Sequence, residues 1–334
     1  MRRVVALLAA VLASASLGAC GGDGAEPGAL RSATLVLDFQ PNAVHAGIYA
    51  ALRQGYYRDA RVDLTVREPS ASTDAPKLLE AGRAQFAILD IHDLAIARAR
   101  GVDVVGVTPI VQRPLASVIA RDRNAIRRPR DLEGHTVGVT GLPSDDAVLD
   151  SVVAADGGDP SKVHRVTIGF SAVADLRAGK LDAATAFWNA EGVSLQRAGV
   201  PIREFRVDDY GAPRYPELVL ATSGTILRED RTLVDSVVDA TARGYTLAAS
   251  EQPRALDDLL GANPELDRDE QAAELRALDR ARAFVPPGRF SMAIVRWPKW
   301  EADHGIVDQP PNLDRTFDFT HTPKARLIRR TAGG

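Results

Sequence analysis

Residues 34–48 decide the fold, and they read Thr34-Leu35-Val36-Leu37, Asp38-Phe39-Gln40-Pro41-Asn42, then Ala43-Val44-His45-Ala46-Gly47-Ile48. The first four residues form a short apolar run, which predicts a buried strand. The next five form a polar turn that contains a proline. Val44, Ile48 and Leu52 then recur at every fourth position, which predicts a helix with one buried face. The stretch is therefore a strand, a loop and a helix in direct succession.

The same unit recurs along the chain as far as about residue 207. Further strands are predicted at 62–66, 86–89, 102–107, 136–139, 164–168, 183–187 and 202–207, with helices at 77–82, 93–100, 145–155, 172–179 and 190–198. Short strands that alternate with helices are typical of βαβ units and parallel sheets. The predicted fold class is α/β.

The chain is long enough for two domains, since about 300 residues follow the N-terminal segment. Residues 115–120 and 217–222 have strand character and bound the second group of units. If they cross side by side, lobe one comprises 32–118 plus 222–320 and lobe two comprises 119–221. Helices predicted at 232–250, 253–260, 268–284 and 292–304 would complete lobe one.

The N-terminus has the order of a secretory signal peptide, with Arg2 and Arg3, an apolar run and small residues before Cys20. Leu17-Gly18-Ala19-Cys20 resembles a bacterial lipobox, which predicts a lipoprotein signal peptide at 1–20 and a lipid on Cys20. The alternative is an ordinary signal peptide with an incidental cysteine. Residues 21–31 are polar and glycine-rich and predict a flexible tether. The location expected is extracytoplasmic, anchored to the cell membrane.

Composition excludes several classes of protein. Cys20 is the single cysteine, so disulfides and cysteine-based metal sites are excluded. A formal net charge of -3 with mixed signs gives no reason to expect a nucleic-acid partner. We expect a monomer with no metal and no cofactor.

Ligands of open α/β sheets bind beyond the carboxyl ends of the strands. This rule selects four loops, at 38–45, 90–93, 140–146 and 188–191, and a cleft between two lobes would be lined by all four. Their aromatic residues offer flat apolar surfaces, and their carboxylates and amides offer directional hydrogen bonds, as in small-molecule sites. The candidate residues in these loops are Asp38, Phe39, Asn42, His45, Asp90, Trp188, Asn189 and Glu191.

Each candidate also has a structural alternative. The aromatic residues could pack in the core, and Asn42 and Asn189 could cap helices. His45 could be a structural hydrogen-bonding residue, and Glu191 could be a first-turn carboxylate that the helix dipole favours. The turn at 141–144 could hold an anion at a helix N-terminus, but Asp145 and Asp146 would repel it.

Residues 37–49, with the pattern Leu37-Asp38-Phe39…Pro41-Asn42…His45…Gly47…Tyr49, resemble the thiamine-pyrimidine branch of periplasmic-binding-protein-like proteins. Further matches lie at 55–57, 86–101, 187–192 and 215–220. The resemblance implies a type II periplasmic-binding-protein fold, two α/β lobes joined by two crossing strands. It also implies that Phe39, Tyr215 and Trp188 would wall a ring and that Glu191 would bind an aminopyrimidine edge, with Asn42 and His45 nearby. Glu217, beside Tyr215, joins the candidates.

The resemblance implies a substrate-binding lipoprotein of an ABC importer, which captures a thiamine-precursor pyrimidine by lobe closure and has permease and ATPase partners. An alternative cargo is riboflavin or another planar heterocycle. An alkanesulfonate is disfavoured by Asp145 and Asp146. The enzyme alternative is a pyrimidine synthase, but such enzymes need a cysteine-rich motif and a lysine near position 90. This chain has no lysine between Lys77 and Lys162, so we expect no enzyme.

Overall fold

The structure of the protein, a computed structural model, describes residues 29–71, 73–122 and 126–320. The predicted signal peptide at 1–20, the predicted lipid site Cys20 and most of the predicted tether lie outside these residues. The first strand begins at Arg31, so the last residue of the predicted tether belongs to a strand. Among the residues described, no helix combines the length and the apolar character that a bilayer crossing needs.

Ten strands form two five-stranded sheets, as the α/β prediction requires. The strands are β1 Arg31–Val36, β2 Val62–Arg67, β3 Phe86–Asp90, β4 Val104–Pro109, β5 Ala116–Arg121, β6 Thr136–Val139, β7 His164–Thr167, β8 Ala183–Phe187, β9 Ile202–Arg206 and β10 Leu218–Ser223. The first sheet has the order β2-β1-β3-β10-β4 and the second has the order β7-β6-β8-β5-β9. The two sheets are therefore built on the same plan.

Both sheets are mixed, so the prediction of parallel sheets is wrong for one strand in each. β10 runs antiparallel to β3 and β4, and β5 runs antiparallel to β8 and β9. The pairs β1–β2, β1–β3, β6–β7 and β6–β8 are parallel. β5 and β10 each follow a direct passage from the other sheet, without the crossover helix that places successive strands parallel.

The two passages between the sheets run beside each other. The first linking segment, 110–115, connects β4 to β5, and the second, 211–217, leads into β10. The Ile110 backbone N–H donates to the Leu218 carbonyl at 2.8 Å, and the Leu115 N–H donates to the Glu217 carboxylate. β5 and β10 themselves pair within different sheets, and the predicted lobe boundaries at 118 and 221 fall inside these two strands. The lobe boundaries stay a prediction.

Helices cover the faces of both sheets. They are α1 Ala46–Arg53, α2 Tyr56–Asp59, α3 Asp74–Glu80, α4 Ile91–Ala99, α5 Pro143–Ala155, α6 Ala172–Ala178, α7 Glu191–Arg197, α8 Gly224–Glu229, α9 Arg231–Ser250, α10 Gln252–Ala262, α11 Arg268–Arg280, α12 Trp297–Asp303 and α13 Leu313–Thr316. Short 3-10 helices lie at Ala43–His45, Pro129–Leu132, Pro160–Lys162, Val207–Tyr210 and Met292–Arg296. The predicted helix at 292–304 is thus a 3-10 turn followed by α12.

The long helix α9 packs against α1, which follows the first strand. The Tyr245 hydroxyl donates to the Val44 carbonyl at 2.7 Å, and the buried hydroxyls of Tyr57 and Thr241 are 2.9 Å apart. Val44 lies in the 3-10 helix before α1 and Tyr57 lies in α2, so these contacts hold α9 against the segments on both sides of α1.

Candidate functional site

A cleft between the two sheets is lined by all four predicted loops. Asp38, Phe39 and Asn42 come from the loop after β1, Asp90 and Asp93 from the end of β3 and the start of α4, Thr140, Ser144 and Asp145 from the loop after β6, and Phe187 and Glu191 from the end of β8 and the start of α7. Phe170, from the loop after β7, also lines the cleft. The rule about strand ends therefore located the cleft.

The first loop uses His45 to hold Asp38. His45 is fully buried, and its Nδ1 accepts a hydrogen bond from the Asn42 backbone N–H at 3.2 Å. Nδ1 is therefore the acceptor nitrogen, so Nε2 carries the proton and donates to Asp38 Oδ1 at 2.9 Å. His45 does not line the cleft; it orients the carboxylate that does.

Asn42 both caps a helix and lines the cleft. Its Oδ1 accepts from the Val44 backbone N–H at 2.9 Å, and its Nδ2 donates to the Gln40 carbonyl at 3.2 Å. The capping alternative therefore holds for Asn42. Because both polar atoms of its side chain already make hydrogen bonds, Asn42 has less hydrogen-bonding capacity left for a ligand than a free amide would have.

Asp90 ends β3 and caps α4, since its Oδ1 accepts from the His92 backbone N–H at 2.7 Å. Burial raises the pKa of Asp90 well above its ordinary value, and the nearby carboxyl of Glu217 raises it further. Glu217 is fully buried and accepts from the backbone N–H groups of Leu115 and Ala116. Two buried carboxyls this close repel each other when both are ionised, which favours the protonated form of Asp90.

His92 lies beneath the cleft in a buried hydrogen-bond network. Its Nδ1 contacts the Glu301 carboxylate, and its Nε2 is 3.0 Å from the Tyr215 hydroxyl. Burial alone lowers the pKa of His92, but the carboxylates of Glu301 and Asp90 raise it to about 10. Tyr215, a predicted ring wall, is 1% exposed and belongs to this network rather than to the cleft lining.

Asp90, His92 and Glu217 are the one group within the described ranges whose ligand atoms lie close enough together, within 4.8 Å, to hold a metal ion. Both ring nitrogens of His92 already have hydrogen-bond partners, namely Glu301 and Tyr215. A metal would have to replace one of these partners. We therefore assign this group no metal.

Glu191 lies at the first position of α7 with its carboxylate in the cleft. Its Oε2 accepts from the Phe187 backbone N–H at 3.1 Å. Burial raises the pKa of Glu191 to about 7, and the charges of Asp145 and Asp38 raise it in the same direction. Burial therefore makes the protonated form of Glu191 accessible near neutral pH. Its neighbour Asn189 is fully buried outside the cleft lining, and neither of its side-chain amide atoms has a hydrogen-bond partner.

The aromatic residues of the cleft are phenylalanines. Phe39 and Phe170 meet edge to face with ring centroids 4.5 Å apart, and Phe187 lines the same space. The structure does not bring Trp188 to the cleft. Its indole Nε1 donates to the Pro114 carbonyl at 3.1 Å, and its ring faces a separate cavity.

The cleft is strongly acidic. Asp38, Asp90, Asp93, Asp145 and Glu191 line it, and no arginine or lysine of the described residues does. Burial is the main cause that raises the pKa of Asp93 and of Asp145. Asp145 also occupies the turn that could have held an anion, since its Oδ2 accepts from the Thr140 backbone N–H at 2.6 Å. The cleft therefore suits a ligand that brings hydrogen-bond donors or a positive charge.

Sequence reasoning missed Phe170, Phe187 and Asp93 as cleft residues. Asp93 is the last residue of the selected loop at 90–93 but was not named as a candidate, and Phe187 directly precedes the selected loop at 188–191. Phe170 lies after β7, a strand whose end was not selected, and nothing local distinguishes it.

A family model described as "NMT1/THI5 like" matches residues 42–255, which is more than half of the chain. The chain belongs to the NMT1/THI5-like family. The matched range includes the loops that carry Asp90, Asp145 and Glu191, so most of the acidic lining lies within the family region.

The relatives include both a binding protein and an enzyme. The formylaminopyrimidine-binding protein of Halalkalibacterium halodurans is 32% identical over 260 residues, which are 77% of this chain and 78% of that protein. The 4-amino-5-hydroxymethyl-2-methylpyrimidine phosphate synthase of Legionella pneumophila is 23% identical over 236 residues, which are 70% of this chain and 74% of that protein.

The fold agrees with a solved periplasmic receptor. The periplasmic aliphatic sulphonate binding protein SsuA of Escherichia coli superposes with a TM-score of 0.66 at 14% identity, over 92% of this chain and 98% of that one. The chain therefore has the type II periplasmic-binding-protein fold, as the resemblance implied. At this identity the likeness concerns the fold alone.

Proposed function

We propose that this protein is the substrate-binding component of an ABC importer and captures a 4-aminopyrimidine precursor of thiamine. The observation that carries the proposal is the cleft, which combines five carboxyl groups with phenylalanine rings and has no lining arginine or lysine among the described residues. The relative with formylaminopyrimidine in its name supports the same ligand class.

The chemistry of an aminopyrimidine suits this lining. A ring nitrogen beside an exocyclic amino group presents an edge that one carboxyl group can engage with both oxygens. Glu191, whose pKa is raised to about 7 mainly by burial, is available in both protonation states near neutral pH. Charge-assisted hydrogen bonds contribute about 1.5–3 kcal/mol each and an aromatic contact about 0.5–1.5 kcal/mol. Two such hydrogen bonds and contacts with two rings sum to about 4–9 kcal/mol before the cost of association, and the roughly 8 kcal/mol of a micromolar site lies near the top of this range.

The size of the cleft favours one small ring. Its volume is about 90 Å³, well above the roughly 10–15 Å³ that a single water needs. A single pyrimidine with short substituents matches this space. A three-ring flavin would require the lobes to separate, so riboflavin is the weaker candidate.

Two other functions fit the cleft less well. An alkanesulfonate would place its anionic group among five carboxyls, with no cation in the described lining to neutralise it. A pyrimidine synthase remains the alternative that one set of relatives suggests. Against it, no lysine is present between Lys77 and Lys162 and no cysteine follows Cys20.

The importer part of the proposal rests on the N-terminus and the fold. The predicted lipid on Cys20 would tether the receptor outside the membrane, where a permease and its ATPase could receive the ligand. Closure of the two lobes over the ligand would present one recognisable form to the permease.

The proposal is tested by thermal unfolding and calorimetric titration of the purified protein. The probe is N-formyl-4-amino-5-aminomethyl-2-methylpyrimidine, with riboflavin and an alkanesulfonate as comparison ligands. A ligand at one hundred times its dissociation constant should stabilise the protein by about 2.7 kcal/mol. We expect this stabilisation from the pyrimidine alone. Stabilisation by riboflavin or the sulfonate without any by the pyrimidine would contradict the assignment.

Glu191→Gln tests which carboxyl binds the ring. Loss of the charge should weaken pyrimidine binding about tenfold or more, because charge-assisted hydrogen bonds are roughly twice as strong as neutral ones. The matched control is Glu229→Gln, an exposed position of α8 outside the cleft. Equal affinity in the parent and the Glu191→Gln variant would remove Glu191 from the site.

A further inference from the structure

A second cavity of about 300 Å³ lies on the side of the molecule that Trp188 faces. Its walls come from four parts of the chain, one of which is the segment with Trp188 and Gln196. Arg113 belongs to the first linking segment, Glu204 and Arg206 belong to β9, and Arg280 ends α11. The cavity is therefore shared between the second sheet, the linking segment and a helix that also contacts the first loop.

The three arginines present their charge to this cavity in different ways. Arg206 lies with its guanidinium carbon 4.4 Å from the centre of the Trp188 ring and pairs with Glu204 at 2.7 Å. Arg113 donates through Nε to the Ala281 carbonyl at 2.9 Å, which leaves its terminal nitrogens for other partners. Arg280 is exposed. Neither Arg113 nor Arg280 is in a salt bridge within the described ranges.

The surroundings add more positive than negative charge. Burial, and then the charges of Arg113 and Arg282, lower the pKa of Arg214, so Arg113 and Arg282 each lie close enough to Arg214 for its charge to be repelled. The acidic groups beside these arginines are Glu204, which is already paired with Arg206, and Asp208 with its neighbour Asp209. Five guanidinium groups, three of them in the lining, thus lie near three carboxylates.

The charge is opposite to that of the ligand cleft, although the whole chain carries a formal net charge of only -3. A cluster of like charges raises the free energy of the folded state unless something neutralises it. Guanidinium groups bind phosphate oxygens in pairs, with a planar fork that matches their spacing. A phosphate group would neutralise the cluster and join the linking segment to β9 and α11.

We propose that the cavity lined by Arg113, Arg206 and Arg280 binds a phosphate group. The ligand class is a free phosphate, a phosphate ester or the headgroup of an anionic phospholipid, which all present the same oxygens. The site is separate from the pyrimidine cleft, and its test does not depend on the pyrimidine.

The experiment titrates the protein with inorganic phosphate and with glycerol phosphate at constant ionic strength, and separately with phosphatidylglycerol vesicles. Calorimetry and tryptophan fluorescence report binding, since Arg206 covers the Trp188 ring. Trp188→Phe identifies the part of the fluorescence change that comes from this cavity. Arg280→Gln removes a lining charge, and Arg276→Gln removes an exposed charge from the same helix outside the lining.

We expect saturable binding that Arg280→Gln weakens about tenfold or more, as for a charge-assisted contact, and that Arg276→Gln leaves nearly unchanged. Binding of the soluble phosphates with this pattern identifies a small-molecule site, and binding of vesicles alone with this pattern identifies a phospholipid headgroup. Equal effects of the two variants would overturn the proposal, since they would indicate general charge attraction. Absence of saturable binding of any of the three probes would also overturn it.

Discussion

Glu274 is a carboxyl group buried beneath the first cleft loop. It is 3% exposed, its Oε2 accepts from the Ala43 backbone N–H at 3.3 Å, and its Oε1 accepts from Gln271 Nε2 at 3.2 Å. Burial, supported by the charges of Glu270 and Glu191, raises the pKa of Glu274 to about 8. The ionised form is therefore the unfavourable one in the folded protein.

Glu274→Gln should remove part of the pH dependence of stability. The pKa of Glu274 is about 8 in the folded protein against an ordinary value of 4.5, so the folded protein binds more protons between these values. Its free energy of unfolding therefore falls as pH rises through this window. Glutamine keeps an acceptor for Ala43 and cannot ionise, so the variant should be more stable than the parent at pH 9 by roughly 1–4 kcal/mol and similar at pH 4.

Urea unfolding at pH 4, 7 and 9 measures this difference. Asp279→Asn, an exposed carboxyl on the same helix, is the control and should follow the parent at all three values. If the free energy of unfolding changed with pH by the same amount in the parent and in Glu274→Gln, Glu274 would ionise freely in the folded protein, which would contradict the prediction.

At the scale of residues, the sequence could locate the cleft but not the direction of every side chain. Phe187 and Trp188 are consecutive at the end of β8, and consecutive residues of a strand point to opposite faces. Phe187 lines the cleft, whereas Trp188 faces the arginine cavity. Choosing between them needs the face of the sheet that meets the cleft, and this depends on tertiary packing. The direction of the Tyr215 side chain could not be predicted either, because its burial depends on packing against α12.

At the scale of elements, the contact between α1 and α9 depends on two glycines. A Cβ atom on Gly244 would lie 1.9 Å from the Gly47 carbonyl oxygen, and one on Gly47 would lie 2.5 Å from Tyr245 Cγ. Both distances are far below van der Waals contact. The two helix backbones can approach this closely only because neither position carries a side chain.

Gly244→Ala should therefore destabilise the protein, although alanine is ordinarily the better helix residue by about 0.5–1 kcal/mol. Overpacking of this kind costs about 1–3 kcal/mol or more, because the obstacle is backbone and cannot rotate away. The matched control is Gly261→Ala in α10, where a Cβ atom would meet the guanidinium of Arg53, a flexible side chain. Thermal unfolding should show a lower midpoint for Gly244→Ala and a similar or higher one for Gly261→Ala.

Most strands and helices could be predicted from the sequence, because their local composition indicates them. The bounds predicted for β6 and β8 match the structure, since each is an apolar run that stops at a turn. The direction of β5 and β10 was not predictable in this way. A strand carries no local signal of its orientation, and their antiparallel pairing follows from the two direct passages between the sheets.

At the scale of the whole molecule, the ligand cleft connects to the linking segments through carboxyl groups. Asp90 lines the cleft, and its neighbour Glu217 accepts hydrogen bonds from the Leu115 and Ala116 backbone N–H groups. Glu217 belongs to the second linking segment and Leu115 to the first. The contact between Glu217 and Leu115 therefore joins the two segments about which the lobes would move. A ligand that binds Asp90 would lie next to this contact.

Saturation with the pyrimidine should make the protein more compact, because the ligand would bridge loops of both lobes and favour the closed form. Small-angle X-ray scattering with and without the ligand measures this as a decrease in the radius of gyration. Glu191→Gln at the same ligand concentration is the control, and it should remain closer to the ligand-free parent because its site is less occupied. An unchanged radius in a parent that calorimetry shows to be saturated would mean that the protein binds its ligand without closing.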